Sequence, residues 1–215
     1  TKHGSDQTFR IVLVFSVAGG TGCGSFVDMA FLCKQLLKDD SNTANAKHEI
    51  ISHVVLPGAF KNVTTDADRL SSNGYAALKE IEHYMFPNNN FQAEWIYGQK
   101  KSISGPIFNR CYIISGDRYQ NGQSFATIQE VFNTVADYLV CEIDSSTFAS
   151  LRNSAVSNCS DFLNNYVFSE VSDKEQGTFY TDLNFYSCKY SSYGLSRIGI
   201  PKERFYLSFE NYGNT

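Results

Sequence analysis

The chain has 215 residues, of which 42% are hydrophobic and 19% are charged, so it is long and apolar enough to bury a sizeable core. Its formal net charge of -4 and its lack of a basic block argue against nucleic-acid binding as its main function, because neutralising phosphates requires clustered Lys and Arg. The sequence contains no run of about 18 apolar residues, which argues against a membrane span.

The six cysteines form no CxxC or CxH pair, and they fall in predicted helices and strands. In such places a thiol behaves as a small apolar group. Reduced cysteines of a cytoplasmic protein are therefore the preferred interpretation, ahead of disulfides or a zinc site. The chain starts at Thr1 rather than at Met, and we expect it to be a fragment of a longer protein.

The first predicted elements are a strand over residues 9–17 and a helix that follows a glycine-rich segment. The strand is a continuous run of apolar and β-branched residues, which is typical of a strand covered on both faces of a parallel sheet. Ser25 is placed to cap the helix, and Asp28 to face the positive end of its dipole. The apolar positions of this helix recur at helical spacing: Phe26, Met29, Ala30, Cys33, Leu36 and Leu37.

A second strand is predicted over residues 50–56, where Pro57-Gly58 ends it. A helix follows over residues 73–85. Its apolar residues fall on one side: Ala77, Leu78, Ile81 and Met85.

Residues 87–106 are predicted to form a loop, because polar residues such as Asn88-Asn89-Asn90 fill much of this stretch. A third strand is predicted over residues 111–115, and a strong helix over residues 128–143. The apolar face of that helix consists of Ile128, Val131, Phe132, Val135 and Leu139.

Strands that alternate with helices predict an α/β fold with a Rossmann-like parallel sheet and flanking helices. After about residue 144, Ser, Asn and Tyr become more common, and strand candidates over residues 179–190 and 204–209 replace clean helices. We therefore expect residues 1–143 to form one domain, and residues 144–215 to begin a second, smaller α+β domain.

The glycine-rich segment, GGTGCGS at residues 19–25, lies between the first strand and the first helix. This arrangement is typical of phosphate binding, because glycine lets the backbone approach an anion closely and the N–H groups at a helix start point towards it. The hydroxyls of Thr21 and Ser25 could donate as well. The alternative is a tight turn in which glycine only permits packing.

Two other kinds of phosphate loop fit this segment less well. A Walker A loop needs a Lys after its glycines, and none follows here. A dinucleotide fingerprint needs GxGxxG and an acid at the end of the next strand, whereas these glycines alternate and Asp39 and Asp40 lie at a helix end. A Rossmann-like enzyme that uses NAD or an adenylated ligand stays open as an alternative.

The string Gly19-Gly20-Thr21-Gly22-Cys23-Gly24-Ser25 closely resembles GGTG[ST]G, the signature loop of the tubulin and FtsZ superfamily. Cys23 stands where that family usually has Ser or Thr. The stretches VVLPG at 54–58, NGYAALKEIEHYM at 73–85 and CYIISGDR at 111–118 also resemble family segments. The whole pattern is most similar to the bacterial tubulin-like proteins.

The resemblance implies that residues 1–143 are the C-terminal half of a nucleotide-binding domain, including its core helix. An upstream segment would then supply the first phosphate loops. The implied cofactor is GTP or GDP, with Mg²⁺ held mainly by phosphate oxygens and water, and with the phosphates on residues 19–25. The implied partners are further copies of the chain in head-to-tail filaments in the cytoplasm.

In this superfamily the core helix reads guanine, and FtsZ has an aromatic residue followed four positions later by Asp or Asn. Here Phe132 is followed at four by Ala136 and at five by Asp137, while Asn133 and Asp137 form the pair one turn apart. A carboxylate suits guanine because it can accept from the ring N–H and the amine together. The alternative is an ordinary solvated helix face.

The resemblance also implies GTP hydrolysis, for which a loop after the core helix supplies acids to the neighbouring subunit. Residues 180–185, YTDLNF, resemble that loop, and Asp182 fits its first acid. Phe185 stands where the second acid should be, and Asp182 could equally be an ordinary turn residue. The sequence therefore leaves a GTPase and a nucleotide-binding scaffold or filament protein without turnover as alternatives.

Overall fold

A computed structural model of the chain describes residues 8–63, 66–85, 89–116, 125–144 and 190–192, together with positions 150 and 154. The elements in chain order are β1 (Thr8–Ser16), α1 (Gly20–Asp39), β2 (Lys47–Val55), a 3-10 turn (Pro57–Phe60), α2 (Ala67–Tyr84), β3 (Asn90–Ile96), β4 (Gln99–Ser104), β5 (Arg110–Ile114), α3 (Ile128–Asp144) and β6 (Tyr190–Ser191).

Within the described residues, the main sheet has four strands in the order β1-β2-β5-β6, and these strands pair in parallel. Strand β1 pairs with β2 along its whole length, from Thr8 opposite Lys47 to Ser16 opposite Val55. The connections from β1 to β2 and from β2 to β5 contain helices, as parallel pairing requires. The predicted α/β fold with a parallel sheet and flanking helices is confirmed.

Helices cover both faces of the sheet. Successive residues of β2 point to opposite sides, so this strand contacts helices on each face. Ile50 and Val54 pack in a core that includes buried residues of α1 and α2. On the opposite face, Val55 packs with Val131 of α3, and Ile51 packs with Tyr138 of α3. The strand is therefore apolar on both faces, which explains why it reads as a continuous run rather than as an alternation.

The buried face of α1 differs from the predicted one. Phe26 and Ala30 are buried as predicted, but Met29 and Leu36 are 47% and 59% exposed. Phe31, outside the predicted face, is fully buried, and its ring stacks on Phe91 of β3 at 4.4 Å. The helix is covered by a second layer as well as by the sheet, so its apolar stripe is turned towards that layer.

That second layer is a β-hairpin, so the predicted loop over residues 87–106 is wrong. Strands β3 and β4 are antiparallel, and Tyr97-Gly98 joins them, with Gly98 at φ 76°. Phe91 and Trp95 alternate with exposed residues along β3 and pack against the core of the α1 side. Because polar residues alternate with these aromatic residues, the sequence reads as a loop although the segment is a strand that is buried on one face only.

Helix α2 begins at Ala67, earlier than predicted, because the Asp66 side chain accepts from the backbone N–H of Arg69 and caps it. The predicted apolar side is confirmed: Ala77, Ile81 and Met85 are buried, and Leu78 packs against them. In α3, Val131 and Val135 are buried, Ile128 and Leu139 pack beside them, and Phe132 is 43% exposed.

Helix α3 ends at Asp144, where the predicted second domain begins. The predicted strand over residues 204–209 lies outside the described residues, as does the one over residues 179–190 except for its last residue. Tyr190 and Ser191 form β6, which pairs with Cys111 and Tyr112 of β5. A short piece of the C-terminal region thus extends the main sheet.

Candidate functional site

The carboxyl ends of β1, β2 and β5 meet at one edge of the sheet, because these strands are parallel. The connections that leave this edge are residues 17–19, the 3-10 turn after β2 and the segment after Ile114. Two further backbone bonds tie them together, from Val17 N to Val55 O at 3.1 Å and from Leu56 N to Ile114 O at 2.9 Å. In open parallel sheets, ligands bind outside this edge.

The glycine-rich segment is mostly helix rather than loop. Helix α1 begins at Gly20, and Gly19 is its N-cap residue without a side-chain cap bond. The predicted cap by Ser25 is wrong, since its hydroxyl donates to the Thr21 carbonyl at 2.6 Å within the helix. The predicted placement of Asp28 at the dipole is also wrong: its carboxylate accepts from the Trp95 indole at 3.0 Å, further along α1.

Three backbone amides at the start of α1 precede the first helical hydrogen bond. The Cys23 N–H donates to the Gly19 carbonyl at 3.2 Å, so the N–H groups of Gly20, Thr21 and Gly22 come too early to have a helical acceptor. Gly20 and Thr21 are exposed. These three donors and the positive end of the helix dipole therefore lie together at the carboxyl edge of the sheet.

Among the described residues, three of the four glycines in this segment have no close neighbour on their outer side. A Cβ added at Gly19, Gly20 or Gly24 would meet no atom of the described residues within 4 Å. A Cβ at Gly22, in contrast, would collide with the carbonyl oxygen of Ser16 at the end of β1. Gly22 therefore lets α1 lie directly on the end of the strand, while the other three glycines leave the outer side open.

Cys23 points away from that open side. Its Sγ donates to the Val17 carbonyl at 3.0 Å and lies 3.7 Å from the Asn73 carbonyl of α2. Burial, with a smaller contribution from the negative charge of Glu80, raises the pKa of the Cys23 thiol above its usual value. The thiol therefore stays protonated at neutral pH and keeps its role as an internal donor.

The predicted base-reading residues lie on α3. Asn133 is exposed, and its Oδ1 accepts from Gln129 Nε2 at 3.0 Å. Asp137 is half-buried one turn further along. The ring of Phe132 lies 6.3 Å from that of Phe60, so it joins α3 to the 3-10 turn that leaves the same edge of the sheet. Asp182 and Phe185 lie outside the described residues.

A family model described as tubulin-like matches residues 1–210 of the chain. The chain belongs to the tubulin-like family. The predicted resemblance to the tubulin and FtsZ superfamily is thereby confirmed. No curated protein and no solved structure matches the sequence.

One residue of this tubulin-like chain has a contact at the site that sequence reasoning missed. Asn73 of α2 donates from Nδ2 to the carbonyl of Ala18, just before the glycine-rich segment, at 3.1 Å. In the sequence, Asn73 is simply the first residue of the predicted second helix. Its partner lies 55 positions earlier, and nothing in the local pattern indicates that pairing.

No group of three or more His, Cys, Asp or Glu side chains within the described part of this tubulin-like chain is arranged to hold a metal ion. None of the helices found there has both the length and the apolar character needed to cross a bilayer.

Proposed function

We propose that this tubulin-like protein binds a guanine nucleotide, GTP or GDP, with the phosphates against the N-terminus of α1. The observation that carries this proposal is the group of three early amides, of Gly20, Thr21 and Gly22, beside open space at the carboxyl edge of the sheet. Oriented N–H groups and a helix dipole attract phosphate without any basic side chain. Membership of the tubulin-like family supports the same nucleotide class.

Within the glycine-rich segment, the residues would contribute to phosphate binding in different ways. Gly20, Thr21 and Gly22 would supply backbone donors, and the exposed Thr21 hydroxyl a further one. Gly19, Gly24 and Ser25 would line the phosphates, since they too are exposed. Cys23 would act from the inside, because its side chain is turned to the Val17 carbonyl. Mg²⁺, held by phosphate oxygens and water, would balance the phosphate charge.

The base would lie against α3. In this proposal the Asp137 carboxylate accepts from the guanine ring N–H and exocyclic amine, Asn133 exchanges its bond with Gln129 for one to the base, and Phe132 packs against the ring. Adenine offers a different pattern of donors at these positions. Preference for guanine over adenine is therefore the signature of this assignment.

By analogy with the family, we extend the proposal to GTP turnover and to head-to-tail filaments in the cytoplasm. Asp182 would polarise the attacking water across a subunit contact. A second candidate is a filament or scaffold protein that binds nucleotide without hydrolysing it, which Phe185 favours because it occupies the position of the second acid. Phosphate release at polymerising concentration separates the two, since steady turnover would reject the second candidate.

The nucleotide proposal is tested by calorimetry on the full chain with GTP, GDP and ATP. We expect GTP and GDP to bind more tightly than ATP. Equal affinity for ATP would overturn the assignment of guanine, and the absence of binding by all three would overturn the whole proposal.

A charge variant tests the location of the phosphates. Thr21→Glu places a carboxylate at the N-terminus of α1, where the dipole stabilises it and phosphate is repelled. We expect its affinity for GTP to fall by about tenfold or more, which corresponds to roughly 1.4 kcal/mol. The matched control is Ser41→Glu, at an exposed position beyond the other end of α1, which should bind as the wild type does. Equal affinities of the two variants would contradict this location.

A further inference from the structure

We infer that Cys23 and Asn73 are positioning residues of the phosphate site, which hold the turn over residues 17–19 so that the first amides of α1 point outward. This inference rests on the proposed function and deepens it. It assigns the cysteine of the glycine-rich segment an internal role, instead of contact with the nucleotide.

Cys23 holds the first part of the turn. Its thiol donates to the carbonyl of Val17, and the Val17 N–H is itself bonded to Val55 of β2 at 3.1 Å. Val17 is fully buried. The Cys23 backbone N–H meanwhile closes onto the Gly19 carbonyl. One residue of α1 thus makes bonds to both ends of the turn.

Asn73 holds the middle of the turn from a different helix. Its Nδ2 donates to the Ala18 carbonyl at 3.1 Å, while the Ala18 N–H is held by the Ser16 hydroxyl at 3.1 Å. The Asn73 carbonyl also faces the Cys23 Sγ at 3.7 Å. Consecutive carbonyls of the turn, at Val17 and Ala18, are therefore each fixed by a side chain from a neighbouring helix.

This arrangement has a direct effect on phosphate binding. The direction of the Gly20, Thr21 and Gly22 amides depends on where α1 begins, and the turn sets that point. Preorganised donors bind an anion more tightly than donors that must first be ordered. Loss of either side-chain bond should therefore weaken the contacts with phosphate while leaving the contacts with the base on α3 in place.

Four variants test the inference, each measured with GTP by calorimetry and with guanosine by ligand-observed NMR. Cys23→Ala removes the thiol donor, and Asn73→Asp removes the Nδ2 donor. Asn73→Ala also removes the Nδ2 donor, without adding a charge that could perturb folding. Cys23→Ser keeps a donor of similar size. We expect the first three to weaken GTP binding about tenfold, as loss of one hydrogen bond does, and to change guanosine binding less than about twofold. Cys23→Ser should bind GTP within about twofold of the wild type.

Thermal melting of each variant shows whether it is folded, and Ser72→Ala is the matched control, because Ser72 is the exposed neighbour of Asn73 and bonds only within α2 in the described contacts. GTP affinity unchanged in folded Cys23→Ala and Asn73→Asp would overturn the inference. So would equal weakening of GTP and guanosine, or a Cys23→Ser variant as weak as Cys23→Ala. A wild-type chain that does not bind GTP would instead overturn the proposed function, and this inference with it.

Discussion

The two faces of the sheet bury different kinds of side chain. The face under α1 and α2 is apolar and aromatic: the Phe15 ring stacks on Phe26 at 5.1 Å and lies 6.2 Å from Phe108. The face under α3 carries buried polar groups around His53 of β2. The turn over residues 17–19 thus lies beside the aromatic face, whereas the proposed base-reading helix packs on a face that combines an apolar cluster with buried polar side chains.

The buried polar side chains on the α3 face form a compact group of titratable residues from three elements. The His53 ring lies 5.0 Å from that of Tyr112 on β5 and 5.6 Å from that of Tyr138 on α3. Glu142 of α3 is buried near them. Burial lowers the pKa of His53 to about 4, against the opposing effect of the Glu142 charge. Mild acid should therefore destabilise the α3 side of the sheet through His53.

The largest expected effect comes from the apolar face. Phe31→Ala removes a fully buried ring that stacks on Phe91, and we expect it to lower the free energy of unfolding by about 4 kcal/mol. The matched change on the α3 side, Phe132→Ala, removes a ring that is 43% exposed and should cost about 1 kcal/mol or less. Urea denaturation followed by the fluorescence of Trp95, the single tryptophan, measures both. Similar losses would remove the contrast between the faces.

The next effect sharpens the contrast through pH. Since the folded state lowers the pKa of His53 to about 4, below its ordinary value of 6.5, the unfolded chain binds more protons between these pH values. The stabilisation from keeping His53 neutral is therefore complete above about pH 6.5 and is lost as the pH falls towards 4, by about 3 kcal/mol in total.

Denaturation at a series of pH values tests this, with His53→Phe as the control that stacks on Tyr112 but cannot titrate. The variant should show a flatter dependence of the free energy of unfolding on pH between about 4 and 6.5. An unchanged slope in the variant would assign the acid sensitivity to groups other than His53.

The smallest of the three effects tests how closely the first turn of α1 lies against the end of β1. Gly22→Ala places a Cβ against the Ser16 carbonyl, so we expect a loss of about 2 kcal/mol in the free energy of unfolding. Gly24→Ala, in the same helix but in open space, should instead gain about 0.5 to 1 kcal/mol, because alanine favours the helix. Thermal denaturation of the pair measures the difference, and an equal response would contradict the close approach of α1 to β1.

Much of the fold could be predicted from the sequence because its signals are local. The apolar runs of β1 and β2 and the helical spacing in α3 indicate elements that lie close to their predicted bounds, whereas α2 has the predicted apolar side but begins six residues earlier than predicted. The hairpin of β3 and β4 was missed, since a half-exposed strand alternates polar and apolar residues. The buried face of α1 differs from the predicted face for the same reason, because the hairpin that covers Phe31 was not predicted.

The position of the glycine-rich segment in the fold was predictable from the sequence, whereas the contacts around it were not. The glycine-rich segment between β1 and α1 marks the helix start, because the flanking elements have clear local patterns. The inward direction of Cys23 and the bond from Asn73 to Ala18 depend on how α2 packs beside α1, which no local spacing encodes. The burial of His53 within an apolar strand likewise depends on the tyrosines that surround it.

The parallel pairing of β6 with β5 has a consequence for biosynthesis. Strands β1, β2 and β5 follow one another along the chain with their helices between them, whereas Tyr190 reaches Cys111 only after a long stretch of further sequence. Because a growing chain folds from its N-terminus, we expect the three-stranded core and its glycine-bearing helix to assemble on the ribosome before the fourth strand emerges. Strand β6 would then add to a template that is already in place.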